Sequence, residues 1–71
     1  MPPKIRKLKA DLSKAGFLVR PGKGSHTVWT HPILSEIEVT LSGKDGNDAK
    51  PYQVRDVQNA LKELKGEQRE R

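Results

Sequence analysis

Glu36-Ile37-Glu38-Val39-Thr40-Leu41 alternates without a break, Ile37, Val39 and Leu41 on one side and Glu36, Glu38 and Thr40 on the other. A period of two is the mark of a strand with one face on a core and the other in water. Such strands belong to antiparallel sheets, so partners are expected nearby in the chain. Ser25 to His31, rich in Thr, Val and Trp, supplies one and ends at Pro32, with Ile33-Leu34-Ser35 as the connection. Phe17-Leu18-Val19-Arg20 supplies another, joined through the turn Pro21-Gly22-Lys23-Gly24. Upstream, Ile5, Leu8, Leu12 and Ala15 fall on one helical face, with Pro2 and Pro3 ahead of the first turn and Gly16 placed to stop it. Downstream of a polar loop over 42–50, Val54, Val57, Ala60, Leu61 and Leu64 form a second apolar stripe. Pro51 suits the start of that helix, with Asp48 near its cap. The order helix, three strands, helix predicts an α+β two-layer sandwich, both helices on one face of a three-stranded antiparallel sheet. It is also the order of double-stranded-RNA-binding domains.

Seventy-one residues are expected to make one domain over 1–71 with a compact core, and 66–71 have nothing to bury and read as a frayed tail. With no cysteine there is neither a disulfide nor a thiolate zinc site, and no metal or cofactor is expected. No apolar run has membrane-spanning length, and the basic N-terminus lacks the apolar stretch of a secretory signal, so a cytoplasmic protein is expected. The net charge of +5 is uneven. Residues 1–30 carry seven Lys and Arg against Asp11 alone, whereas 31–71 carry seven against eight Asp and Glu. A basic cluster of that kind attracts phosphates through counterion release, although the same cluster also serves solubility.

Lys23-Gly24-Ser25-His26 is where chemistry enters. Histidine as a side-chain type exchanges protons near neutral pH. RNA carries a nucleophile, the 2′-hydroxyl, beside each phosphodiester, so an imidazole in a basic surface can act on it. Gly22 and Gly24 let the main chain approach a phosphate, Lys23 adds a charge, and Ser25 offers a hydroxyl for positioning or for closing the turn. The plainer reading is a polar hairpin with no reaction attached. Lys7 and Lys14, with Lys4, Arg6 and Lys9, ring the first helix and suit phosphates and 2′-hydroxyls by shape.

His31 lies an odd number of residues beyond His26, so a regular strand points the two rings to opposite faces and an acid–base pair between them is not expected. If Val28 faces the helices, Trp29 lies on the open face, free to stack on a base or a partner. The plainer reading has Trp29 cover the sheet edge and complete a small hydrophobic cluster, because this chain has few large apolar residues and needs them. If Val28 does face the helices, His26 shares its parity and must sit beyond the edge of the helix layer to be reached. Glu36 and Glu38 disfavour nucleic acid on their part of the open face.

Taken together, Lys14-Ala15-Gly16-Phe17, Gly22-Lys23-Gly24-Ser25-His26, Trp29 and His31-Pro32, with Ala49-Lys50-Pro51-Tyr52 adding less, resemble the HicA toxin family of bacterial type II toxin–antitoxin systems. The resemblance implies a small mRNA-cleaving protein with a double-stranded-RNA-binding-like fold, His26 as its catalytic residue, and a HicB-like antitoxin as its partner. Gly46 to Gln53 departs from the Lys-Glu-Leu loop and Gly-Thr-Leu helix start common in that family, so the resemblance assigns no catalytic role to the second helix.

The expectation is therefore a metal-independent endoribonuclease acting on mRNA, with His26 as acid or base and Lys23, Gly24, Ser25, Lys7 and Lys14 as RNA contacts. A non-catalytic RNA-binding module of the same architecture explains the charge equally well. A protein-interaction subunit using Trp29 is the third reading, and steeply salt-dependent RNA binding counts against it.

Overall fold

The computed structural model describes residues 1–69. α1 spans Ile5–Lys14 and buries Ile5, Leu8 and Leu12, the i, i+3, i+7 face of the sequence. Its end is a Schellman motif: Gly16, at φ +93°, directs its N–H to the Ser13 carbonyl, and Phe17 N–H reaches the Leu12 carbonyl. Phe17 thus closes the helix and enters the core, and the first strand begins one residue later than its composition suggests.

The sheet has the order β1 (Leu18–Pro21), β2 (Thr27–His31), β3 (Leu34–Leu41), antiparallel throughout. Trp29 pairs with Val39 and Thr27 with Leu41, and this register decides which face is buried. Trp29, Val39 and Leu41 share one core with the buried faces of α1 and of α2 (Pro51–Arg69). Both helices therefore cover one face of the sheet, and the order α-β-β-β-α is the one expected. Trp29 is in the core at 5% exposure, its indole N–H donating to Thr27 Oγ1. The alternative that put Val28 toward the helices is thereby corrected. Val28 and Thr30 take the open face instead, together with Arg20, Glu38 and Thr40.

β3 starts at Leu34, because Pro32 and Ile33 alone make the turn and Leu34 fills the core. β1 is an edge strand exposed along its whole length. α2 buries Val57, Ala60 and Leu64, with Val54 and Leu61 half in. It runs through Gly66 to Arg69, where the sequence suggests fraying; residues 70–71 lie outside the described residues. One glycine costs about 1 kcal/mol in a helix interior, too little to stop a formed helix.

The polar loop 42–50 holds the two layers together. Asn47 and Asp45 carbonyls accept the Ile5 and Arg6 N–H groups, so α1 is capped by backbone from across the fold. Lys4 pairs with Asp48 at 2.5 Å and Lys9 with Asp45 at 2.6 Å. Asp48, expected at the cap of α2, is engaged there instead. Gln53, buried at 2%, takes over: its Oε1 accepts Lys50 N–H and its Nε2 donates to the Ser42 carbonyl.

Candidate functional site

The two histidines end up at opposite ends of β2, His26 just ahead of its first residue and His31 as its last. Their environments differ in kind. His31 is half-buried, its Nδ1 accepting Ile33 N–H at 3.1 Å and its Nε2 donating to the Ala15 carbonyl at 3.1 Å. Those two bonds select the neutral tautomer protonated on Nε2. The ring also meets Phe17 edge-on, with centroids 5.0 Å apart. Both nitrogens are engaged, so His31 fastens the end of α1 to the β2–β3 turn.

His26 is the reverse. It is exposed, and among the described residues its ring has no hydrogen-bond partner. Only its backbone is held: Gly22 N–H donates to the His26 carbonyl, and His26 N–H to the Lys23 carbonyl, both at 2.9 Å. Gly24, at φ +57°, and Ser25 are the central residues of that turn. A positive φ at the first and a negative one at the second is the type II′ sense, which suits the twist of a hairpin. Gly22 has a steric role, since a Cβ there stands 3.1 Å from the Cβ of His26. His26 shares the parity of Val28, which belongs to the open face, so the ring does not have to clear the helix layer.

Lys23, Gly24 and Ser25 are thus brought together with His26, all exposed on one turn. Lys7 and Lys14 are not part of that cluster. Lys7 pairs with Asp11 at 2.7 Å on the flank of α1. Lys14 occupies the last turn of α1, beside Ala15 and therefore at the His31 end of the sheet. Lys4, Lys7, Lys9 and Arg20 are each matched to a carboxylate, the last to Glu38 at 3.2 Å. Such exposed pairs are weak and can exchange for phosphate. Lys23, by contrast, has no carboxylate partner among the described residues.

One contact at this end was not visible in the sequence. Gly43 N–H donates to Ser25 Oγ at 3.2 Å, which ties the loop after β3 to the histidine turn and sets Lys44, exposed, next to that contact. The Ser42-Gly43 pair signals only a chain reversal after a strand; its tertiary partner has no local signature.

Among the described residues no helix is long and apolar enough to cross a membrane, and no three His, Asp or Glu side chains gather as a metal site. No curated protein matches the chain. A protein-family model described as the HicA toxin of bacterial toxin–antitoxin matches residues 5–65, from the start of α1 almost to the end of α2. That match takes in both helices, the sheet and the whole histidine turn, and with it the chain belongs to the HicA toxin family of bacterial toxin–antitoxin systems.

Proposed function

We propose that this protein is an endoribonuclease that cleaves mRNA at the His26 turn and is neutralised by a HicB-like antitoxin. The observation that carries the reading is the contrast between the histidines: His31 spends both ring nitrogens on the fold, whereas the exposed His26, beside Lys23, bonds neither to a described residue. The imidazole takes the proton of the 2′-hydroxyl, and the 2′-oxygen bonds to phosphorus as the bond from phosphorus to the 5′-oxygen breaks. A 2′,3′-cyclic phosphate remains on one fragment, and the departing 5′-oxygen takes a proton from water to become a hydroxyl. Lys23 offsets the charge that builds on the phosphate, and the glycines at 22 and 24 admit the backbone to it. No metal ion is needed to supply the nucleophile, since it belongs to the substrate. The surroundings are those of the cytoplasm, where mRNA is found.

A second reading, an RNA-binding module of double-stranded-RNA-binding type without catalysis, draws on the absence of any described side chain that orients the His26 ring. The two readings separate on one experiment. Wild type and His26→Ala are compared on a long mRNA in EDTA, with fragment ends mapped. We expect cyclic phosphates from wild type and a loss of about 10²- to 10⁴-fold in the variant, with RNA affinity kept. The His26 side chain is exposed, so the melting temperature should hold. Equal cleavage by both proteins defeats the assignment of His26. Tight binding with no cleavage by either establishes the second reading.

A further inference from the structure

We infer that Gly43, in the loop between β3 and α2, is a positioning residue for His26 and acts through Ser25. The inference rests on the reading of His26 as the reacting group. Because no described side chain holds the His26 ring, its placement depends on the backbone of residues 22–27. That backbone belongs to a hairpin whose first strand is exposed along its full length. The two hydrogen bonds inside the turn, Gly22 to His26 and His26 to Lys23, fix its shape but not its attachment to the rest of the protein.

Thr27, at the end of the turn, is held to Leu41 by the β2–β3 ladder; the attachment of the turn itself is the Gly43 N–H bond to Ser25 Oγ. Between Gly22 and His26, Ser25 is the one residue with a hydrogen bond to a described residue outside the hairpin. Gly43 is itself well anchored. Its φ of +105° belongs to the region that glycine enters without strain. The loop that follows is fastened to α1 by the carbonyls of Asp45 and Asn47, by Ala49 N–H on the Pro3 carbonyl, and by the ion pairs of Asp45 and Asp48. A continuous path thus runs from the first turn of α1 through Gly43 to Ser25 and so to the neighbouring His26. The bond also directs the serine. With Oγ accepting from Gly43, its own O–H is left to donate to another group.

The side chain at 43 is not crowded: a Cβ there meets Asn47 Nδ2 at 3.5 Å and Ile5 Cγ1 at 3.8 Å, ordinary contacts. Gly43→Ala therefore acts through backbone conformation, turning the N–H away from Ser25. The test uses Gly43→Ala, Ser25→Ala, the double variant, and Ser25→Thr, which keeps the hydroxyl. RNA cleavage gives kcat and KM, and backbone relaxation gives the order parameter of the His26 amide. Each single variant should lower kcat on the order of 10-fold with KM little changed, and the double variant should be no worse than the poorer single one. Ser25→Thr should restore kcat. The His26 order parameter should fall from about 0.85 toward 0.6 in Gly43→Ala and Ser25→Ala alike. Additive losses in the double variant, or an order parameter unmoved in Ser25→Ala, overturn the inference. Ser25 is exposed, so that variant stays informative if Gly43→Ala does not fold. Should the wild type cleave no RNA, the proposed activity falls, and the order parameter still decides whether Gly43 holds the turn.

Discussion

Gly16 lies so near the ring of His31 that a Cβ built on it stands 3.2 Å from Nε2, the nitrogen that bonds the Ala15 carbonyl. The glycine is required twice over, by its φ of +93° and by this approach, and the histidine is in turn the lid on the helix end. Gly16→Ala should cost about 2 kcal/mol, most of it from the left-handed backbone. In a domain this small that lowers the melting temperature by roughly 10 °C. His31→Ala should lose a similar amount through its two hydrogen bonds and the Phe17 contact. Per folded molecule, RNA cleavage by His31→Ala should match wild type, measured well below its melting point. A specific loss of activity there contradicts the structural assignment.

The two glycines of the histidine turn should fail differently. At Gly24 the space is open and only φ objects, so Gly24→Ala should cost about 1 kcal/mol and Gly24→Asn less. At Gly22 the conflict is with His26 itself, so Gly22→Ala should depress cleavage out of proportion to its effect on stability. Paired melts and rate measurements check both.

Gln53 satisfies a donor and an acceptor from inside the fold. Gln53→Leu leaves the Ser42 carbonyl and Lys50 N–H without it and should cost about 2 kcal/mol. Gln53→Glu keeps the acceptor for Lys50 but brings a charge into a buried site facing a carbonyl. It should be the more damaging of the two in urea titrations, and the reverse order counts against this account.

Lys23, without a carboxylate partner among the described residues, should bear directly on phosphate. Lys23→Ala should weaken RNA binding and reduce the slope of log K against log salt by about one. An unchanged slope removes Lys23 from the interface.

The element order was legible because the helices and β3 carry clean periods of 3.6 and two. β2 was harder for a physical reason: Val28 and Trp29 are adjacent and both apolar, so alternation alone allows either to face inward. Pairing with Val39 and Leu41 makes the choice, and that register is reached through an irregularity between Thr30 and His31, because the turn at Pro32 and Ile33 alone would set Trp29 opposite Glu36. At the site, the glycines, Lys23 and His26 could be found because they are neighbours in sequence. Gly43 could not, and neither could the capping of α1 by Asp45 and Asn47, since backbone carbonyls and N–H groups leave no mark on composition.

Lys4 and Asp48 stand 44 positions apart along the chain, and the groups that cap α1 come from the same late segment. During synthesis, therefore, the first helix emerges from the ribosome without the partners that complete it. The histidine turn is made long before the loop that anchors it. A nascent chain halted ahead of that loop holds every residue of the Lys-Gly-Ser-His motif yet lacks the scaffold that aims it. The order of synthesis thus leaves the turn without its Gly43 contact until most of the chain has been made.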